Sequence, residues 1–293
     1  MKKIGIIGTG VMGLTVAEKI IAAGHNLTVY DLSADAAKRT ENFGAQVVQT
    51  PKDVGLNSDI VLLFLPGPVE VIDCVSSPDG LLNGMQPGSI IVDMSTSDPD
   101  VSEKVYRLAE KKGVDFLDAP VLGRPATIGY WALPVGGKED VIKRCKPVFK
   151  IFAAHVFHAG PVGAGHKIKL LNQLMFGAIN AMTAEMMAIA DKIGIEPSRL
   201  FEIISASKAG TVSNLFKELG KRVADGNYED PTFTVNLLIK DVKLAVQMAK
   251  GNNAPPLLAR TVEFINEVSQ AQGLGNKDTS IMWTSYRRIW SGK

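Results

Sequence analysis

The chain has 293 residues, which predicts one or two domains, and its 46% of hydrophobic and 21% of charged residues are typical of a globular protein with a sizeable core. Its net charge of +2 gives no attraction to nucleic acid or to a membrane surface, so we expect neither as a partner. No apolar run reaches the length of a membrane span and no signal peptide is visible, so we expect a cytoplasmic protein.

The cysteines and histidines predict no metal site. Cys74 and Cys145 stand alone, with neither metal-ligand spacing nor a redox pair motif, so each is expected to be a reduced, partly buried apolar residue. The histidines lack a partner at ligand spacing on a helix. They are His25, His155, His158 and His166.

The first part of the chain, residues 3–31, predicts a dinucleotide site. A short apolar strand over 3–7 leads into Gly8-Thr9-Gly10-Val11-Met12-Gly13, a helical pattern follows as far as Gly24, and a second strand ends at Asp31. A strand, GxGxxG, a helix, a strand and an acid in this order form the dinucleotide-binding fingerprint.

Each glycine of the motif has a separate purpose. Gly8 permits the tight turn, Gly10 lets the backbone approach a pyrophosphate, and Gly13 lets the helix pack close to the strand. The helix N-terminus supplies unpaired N–H groups and a partial positive charge to the phosphates. Glycines at turns are common, but here the strands, the helix and the acid are all in register with the motif.

Asp31 predicts NAD rather than NADP, because its carboxylate can accept hydrogen bonds from ribose hydroxyls and would repel a 2′-phosphate. The basic residues that could counter this are Lys38 and Arg39. They fall on a helix predicted to begin at Ser33, where a solvated face is the preferred interpretation.

Alternating strands and helices in the first half predict a doubly wound parallel α/β sheet of the Rossmann type. Active groups are expected at the strand ends where the loops begin. A helix is predicted over 99–111. Further strands are predicted over 59–65, 89–93, 115–118, 132–135 and 151–157.

After Gly165 the sequence predicts an all-helical domain. A long run of helix formers over 166–193 is followed by helices predicted near 198–205, 213–225, 235–250, 256–272 and 279–289. The boundary is placed at the Gly160-Pro161-Val162-Gly163 segment, which gives a dinucleotide-binding domain over 1–162 and a helical domain over 163–293 that begins with a long interdomain helix. The apolar character of that helix favours a homodimer or homotetramer.

Lys169, Asn172 and Gln173 form a second chemical signal, since their i, i+3, i+4 spacing places them on one face of the long helix. Taken alone, they could be a surface polar stripe. Adjoining apolar residues argue that the helix is buried, and a partly desolvated lysine suits a general acid or base. The two amides could then hold the lysine or a substrate oxygen.

With these motifs the chain resembles the β-hydroxyacid dehydrogenases, a family that includes 3-hydroxyisobutyrate dehydrogenase, tartronate semialdehyde reductase and succinic semialdehyde reductases. The resemblance covers nearly the whole chain and rests on five motifs in order. They are Gly8–Gly13, Asp93-Met94-Ser95-Thr96, Asp118-Ala119-Pro120-Val121, Gly163-x-Gly165 with Lys169 and Asn172, and Ile239-Lys240-Asp241.

The resemblance implies a catalytic Lys169, a substrate contact by Asn172, and Ser95 and Thr96 near the nicotinamide. Gln173 stands where some members have a second asparagine, and Lys240 is implied to close over the cofactor or substrate. The cofactor-binding set is predicted to comprise Gly8, Gly10, Val11, Met12, Gly13, Asp31, Leu65, Pro66, Val69, Ser95, Thr96 and Lys240. The substrate-binding set is predicted to comprise Asn172, Gln173, Arg124, Gly123, Leu122 and Ser95.

One loop departs from the family pattern, which usually continues with Ser-Gly-Gly after the valine. Here the chain reads Leu122-Gly123-Arg124, so the serine that holds the substrate carboxylate is missing. Arg124 could supply the anion contact instead, or it could be an exposed loop residue. An arginine in this loop is similar to the sulfolactaldehyde reductase branch of the family, although the surrounding residues differ. Tyr130 and Trp131 could form a pocket wall, and a core or interface role is an equal alternative.

We therefore expect an NAD(H)-dependent oxidoreductase that interconverts a small 3- or 4-hydroxy acid and its semialdehyde. The partner would be a small anionic hydroxy acid or semialdehyde. A sulfolactaldehyde reductase-like enzyme that holds a sulfonate through Arg124 is the first alternative. A catalytically silent NAD-binding regulator is the alternative from a different class, and the presence of Lys169 argues against it.

Overall fold

The computed structural model describes residues 2–206, 213–254 and 256–291. It divides into two compact units, Met1–Lys169 and Leu170–Lys293. The predicted boundary after residue 162 precedes this division and stays a prediction.

The first unit is a Rossmann-like α/β fold, as predicted. Its described residues form one sheet of eight strands in the order β3-β2-β1-β4-β5-β6-β7-β8. The strands are β1 (Lys3–Ile7), β2 (Asn26–Tyr30), β3 (Gln46–Val47), β4 (Ile60–Leu63), β5 (Ile90–Asp93), β6 (Asp115–Asp118), β7 (Trp131–Gly136) and β8 (Ala153–Gly160). The helices of this unit are α1 (Val11–Ala22), α2 (Ala34–Glu41), α3 (Pro51–Leu56), α4 (Pro68–Ser76), α5 (Pro99–Glu110) and α6 (Glu139–Phe149).

Helices cover both faces of this sheet, so its central strands are continuous apolar runs. One core cluster joins the sheet to α1 and α6 through residues such as Ile20 and Phe149. The other joins it to α3, α4 and α5 through residues such as Val54, Val71 and Val105. The chain order reverses between β1 and β4, and the loops that follow these strands meet at their carboxyl ends, where such sheets bind ligands.

The sheet is not parallel throughout, which corrects the prediction in one detail. β6 and β7 pair antiparallel through Asp118 and Gly136, whereas β7 and β8 pair parallel across α6. The segment 119–130 between β6 and β7 contains only one turn of 3₁₀ helix, Pro125–Thr127, and no α-helix to return the chain to the opposite edge. Sequence patterns of apolar strands do not reveal this reversal.

The second unit is built from helices. They are α7 (Ala164–Lys192, which begins in the first unit), α8 (Pro197–Ala206), α9 (Asn214–Asp225), α10 (Val235–Gly251), α11 (Leu257–Ser269) and α12 (Met282–Ser291). Its main core packs α7 alanines such as Ala184 against Leu238 of α10, Val262 of α11 and Met282 of α12. None of the described helices is both long and apolar enough to cross a membrane.

Most predicted helices are confirmed to within a few residues, and Ser33 and Ser213 cap α2 and α9 through their hydroxyls. The helix predicted over 256–272 instead ends at Ser269 and continues as a π-helical segment, Gln270–Leu274, in which Gly273 takes a φ of 78°. The one predicted over 279–289 is a 3₁₀ turn followed by α12. The short elements β3, α3, α4 and α6 are not predicted from the sequence.

Candidate active site

The glycine-rich turn after β1 has no room for side chains at two of its three glycines. Gly8 has a φ of +90°, and a Cβ there would lie 2.2 Å from the carbonyl oxygen of Phe64. A Cβ on Gly13 would lie 1.9 Å from the carbonyl oxygen of Gly8. Gly8 therefore makes the turn, as predicted from the motif, and Gly13 allows α1 to pack closely against the turn that directly follows β1.

Gly10 differs, since a Cβ there would meet nothing within 4 Å. It is the N-cap of α1, where no side chain caps the helix and no acidic residue lies in the first turn. Val11, the next residue, is 54% exposed. An uncapped helix N-terminus beside open space is a ready anion site, so this turn fits the pyrophosphate of a dinucleotide.

The Asp31 carboxylate ties the end of β2 to the glycine-rich turn. One oxygen accepts the backbone N–H of Thr9 at 2.6 Å and the Thr9 hydroxyl at 3.1 Å, and the other accepts the N–H of Ser33 at 2.8 Å. The carboxylate is half-buried at the carboxyl edge of the sheet. Asp31 thus has a structural function in addition to the predicted ribose contact.

The loops after β4 and β5 are joined through Ser95. Its hydroxyl accepts the N–H of Leu65 at 2.9 Å, and its own N–H donates to Asp93 Oδ1 at 2.9 Å. Ser95 is buried, Leu65 and Thr96 are half-buried, and Val69 is 64% exposed on the first turn of α4. These predicted cofactor contacts therefore lie on adjacent loops at one edge of the sheet.

Asp118 at the end of β6 holds the start of α7. Its carboxylate accepts the N–H of Gly163 at 2.7 Å and the N–H of His166 at 2.9 Å. A Cβ on Gly165 would lie 2.5 Å from the Pro134 carbonyl oxygen, so this glycine allows the close approach. Burial raises the pKa of Asp118, and the nearby His166 and these two hydrogen bonds act in the opposite direction.

Lys169, one turn beyond this anchor, is half-buried and its Nζ donates to the Val121 carbonyl at 2.9 Å. Val121 lies three residues beyond Asp118, the last residue of β6. The ammonium is therefore held at the carboxyl edge of the sheet, on the same edge as Ser95. A lysine there can exchange a proton with a substrate oxygen.

Trp131 shapes the loop that carries Arg124. Its ring is fully buried, packs edge-on against Phe152 at a centroid distance of 6.1 Å, and donates Nε1–H to the Arg124 carbonyl at 2.7 Å. A Cβ on Gly123 would lie 2.2 Å from Trp131 Cδ1, so only glycine fits. Leu122 pairs with Ala132 in a short antiparallel bridge.

These contacts hold the loop backbone at Arg124 in one place. The Arg124 side chain, which is half-buried, therefore extends from a backbone of fixed position. Of the alternatives for the two aromatic residues, Trp131 takes the core role and Tyr130 is 85% exposed.

Within the second unit, Gln173 is buried and its amide donates to Asp241. Lys240 forms an ion pair with the same carboxylate group, Nζ to Oδ1, at 2.7 Å. Asn172 is exposed and its amide contacts Gln173 Oε1 at 3.4 Å. These side chains form a linked polar group inside this unit.

Sequence reasoning missed His166, which is buried and hydrogen-bonded on both ring nitrogens. The available signal was its place three residues before Lys169, on the same helix face.

Burial raises the pKa of Cys74 and that of Cys145 to about 12, so these thiols stay protonated. No group of three or more metal-ligating side chains occurs among the described residues.

Two family profiles together match almost the whole chain. The profile described as the NAD binding domain of 6-phosphogluconate dehydrogenase matches residues 3–160. The one described as NAD-binding of NADP-dependent 3-hydroxyisobutyrate dehydrogenase matches residues 163–286. These two segments meet at the glycine- and proline-containing stretch that precedes α7.

Named dehydrogenases align with this chain over most of their length. The chain is 32% identical to 2-(hydroxymethyl)glutarate dehydrogenase of Eubacterium barkeri, covering 95% of this chain and 92% of that protein. It is 32% identical to human mitochondrial 3-hydroxyisobutyrate dehydrogenase, covering 97% and 86%. A crystal structure of 3-hydroxyisobutyrate dehydrogenase from Salmonella typhimurium superposes with a TM-score of 0.89 at 27% identity, covering 96% and 98%. The chain therefore belongs to the β-hydroxyacid dehydrogenase family and is an NAD-binding oxidoreductase that acts on CH–OH groups.

Proposed function

We propose that the protein interconverts a small 3- or 4-hydroxy acid and its semialdehyde with NAD(H), and that Lys169 is the general acid and base. The observation that carries the proposal is the position of Lys169 Nζ, 2.9 Å from the Val121 carbonyl at the sheet edge where Ser95 and the glycine-rich turn also lie. The names of the relatives support hydroxy acids as the substrate class.

In oxidation, the neutral amine of Lys169 takes the proton of the substrate hydroxyl as the C–O bond becomes a carbonyl. In reduction, the ammonium returns that proton to the carbonyl oxygen. Bound NAD supplies the hydride acceptor and NADH the hydride. The hydrogen bond to the Val121 carbonyl orients Nζ. An oriented Nζ can exchange the proton directly with the substrate oxygen, without a molecule of bulk water as carrier.

For the cofactor, we propose that the first turn of α1, from Gly10 through Val11 and Met12, holds the pyrophosphate and that Asp31 holds the ribose. The cofactor also contacts the loop after β4 and the first turn of α4, through Leu65, Pro66 and Val69. Ser95, Thr96 and Lys240 contact the nicotinamide half, as the family resemblance implies.

For the substrate, we propose that Arg124 holds the acid group and that Asn172 contacts the substrate oxygen. Leu122 and Gly123 shape the loop. Gln173 is already bound to Asp241, which supports a function in holding that part of the helix. The guanidinium suits a carboxylate or a sulfonate equally, so the sulfolactaldehyde reductase-like alternative stays open.

Cofactor choice depends on Asp31. Asp31→Asn is expected to narrow the preference for NAD over NADP in kcat/KM by about tenfold, because it removes the charge that repels a 2′-phosphate. Asn keeps one oxygen to accept the Thr9 N–H. Asp35→Asn, an acid in the first turn of α2, is the matched control and should leave the ratio unchanged. A wild-type protein that prefers NADPH would contradict the proposal and direct attention to Lys38 and Arg39.

Arg124→Ala is expected to raise KM for the acidic substrate by about ten- to a hundredfold, since a charge-assisted hydrogen bond is worth about 1.5–3 kcal/mol. Arg124→Lys keeps the charge without the planar fork and should give an intermediate KM. The affinity for NADH should change little in both Arg124 variants. Arg107→Ala removes only an exposed ion pair with Glu103 and is the control. An unchanged KM would mean that the anion is held elsewhere.

The proposed function is tested by initial rates with a panel of small hydroxy acids, semialdehydes and a sulfonated aldehyde, each with NAD(H) and NADP(H). We expect turnover of a 3- or 4-hydroxy acid or its semialdehyde. Turnover confined to the sulfonate would favour the alternative enzyme. NADH binding without turnover of any compound would favour the NAD-binding regulator.

The predicted homodimer or homotetramer and the cytoplasmic location stay predictions. Exposed apolar side chains on the part of α7 in the second unit support self-association, as Leu171, Met175 and Met182 are each more than half exposed.

A further inference from the structure

His166 is a buried titratable side chain that the proposed chemistry does not use. Its Nδ1 lies 2.7 Å from the Ser102 hydroxyl oxygen and its Nε2 lies 3.1 Å from the Ser95 carbonyl oxygen. Because a carbonyl only accepts, Nε2 carries a hydrogen. In the neutral ring Nδ1 then accepts a hydrogen bond from the Ser102 hydroxyl, whose other acceptor within reach, the Asp98 carbonyl, lies farther away at 3.3 Å.

Both partners of the ring are anchored without it. Ser95 is held through its N–H by Asp93 and through its hydroxyl by the N–H of Leu65. Ser102 lies in the first turns of α5, where its N–H donates to the Asp98 carbonyl at 3.1 Å. The imidazole therefore connects the start of α7 to two groups whose positions are already fixed.

Two buried carboxylates lie beside the ring. Asp93 Oδ2 is 3.9 Å from Nε2 and has no hydrogen-bond partner among the residues that the structure describes. Asp118 accepts the backbone N–H of His166. Removal of the imidazole would leave the Ser95 carbonyl without this donor and Asp93 without its neighbouring N–H, so the helix start would lose its side-chain anchor.

We propose that His166 is a positioning residue of the reaction. Its ring fixes the first turn of α7 against the Ser95 carbonyl, and this sets the place of Lys169, three residues later on the same helix face, relative to the Ser95 loop. The proposal rests on the proposed proton transfer by Lys169. Asp118 holds the backbone of this turn, and His166 adds the contact that fixes the turn against the neighbouring loop.

His166→Leu removes both ring hydrogen bonds and replaces the imidazole with an apolar side chain of similar bulk. It is expected to lower kcat about ten- to a hundredfold through a small displacement of Lys169, with the Kd for NADH within about twofold of wild type. His166→Gln places an amide N–H near the Nε2 position and should recover most of kcat. A purely structural function would lower the active fraction and the Tm without this selective loss and rescue.

The decisive readout is the double-mutant cycle with Lys169→Ala. If His166 acts through Lys169, the double variant Lys169→Ala/His166→Leu has the same residual kcat as Lys169→Ala. Losses that multiply, or a His166→Leu enzyme with wild-type kcat, would overturn the proposal. If Lys169→Ala alone keeps wild-type kcat, the proposed function itself fails, so the two failures are distinguishable.

Ser102→Ala provides a second test that leaves the ring in place, for use if His166→Leu does not fold. Loss of its bond to Nδ1 should lower kcat about two- to tenfold, and this loss too should vanish in the Lys169→Ala background. Ser97→Ala is the matched control, because the Ser97 hydroxyl is buried and has no hydrogen-bond partner in the described part of the chain. Equal kcat for Ser102→Ala and Ser97→Ala would contradict the positioning role.

Discussion

Alanine at Gly10 is expected to weaken NADH binding about tenfold or more and to leave the fold almost unchanged. The φ of Gly10 is −62°, which alanine adopts readily, and its Cβ would enter open space at the N-terminus of α1. That space is where the backbone must approach the pyrophosphate. Fluorescence titration of NADH together with a thermal melt separates the two effects.

Alanine at Gly13 is expected to lower the stability of the fold, in contrast to alanine at Gly10, because the Cβ at position 13 would lie 1.9 Å from the Gly8 carbonyl oxygen. The helix must move away from the strand, at a cost of about 1–3 kcal/mol, so the Tm should fall by several degrees. Gly251, at the end of α10, is as open as Gly10, and Gly251→Ala is the control for both variants.

An NADH affinity of Gly10→Ala equal to that of wild type would contradict the assignment of the pyrophosphate to the N-terminus of α1.

Lys169→Ala is expected to lower kcat about 10²–10⁴-fold, the usual contribution of general acid–base catalysis. The Kd for NADH should change little, because the lysine is assigned to the substrate oxygen. Lys167→Ala, an exposed lysine two residues earlier on α7, is the matched control and should keep wild-type kcat. If Lys169→Ala loses NADH binding and retains kcat at saturation, the lysine belongs to the cofactor site instead.

The sequence predicts the backbone geometry of the glycine-rich turn, because that geometry depends on residues close together in the chain. The functions of Gly8 and Gly13 follow from spacing alone, and the positive φ of one and the close backbone contact of the other agree with them. The apolar pattern before Asp31 predicts that this residue lies at a strand end, and β2 ends at Tyr30. Its bonds to Thr9 and Ser33 add a function that spacing does not reveal.

The loop after β6 could not be derived in this way, because its shape depends on contacts between distant residues. Gly123 is required by the Trp131 ring, which comes from a later strand and is buried against Phe152. The antiparallel return of β7 brings the two together. An apolar strand has the same sequence pattern in either direction.

His166 shows a different limit. The histidines have no metal-ligand spacing in the sequence, whereas the partners of this ring are a carbonyl and a hydroxyl from other elements. Such partners have no spacing signature in the chain. Only the fold brings the ends of β5, β6 and the start of α7 together.

The central claim is that Lys169 moves a proton, and the rate of NADH formation in a single turnover by Lys169→Arg tests it most directly. The enzyme is mixed in excess with the best hydroxy acid from the panel at saturating NAD. Arginine keeps the positive charge but does not give up its proton near neutral pH. We predict a rate about 10²–10⁴-fold below that of wild type. A rate close to that of wild type would mean that Lys169 acts only as a charge and that another group carries the proton.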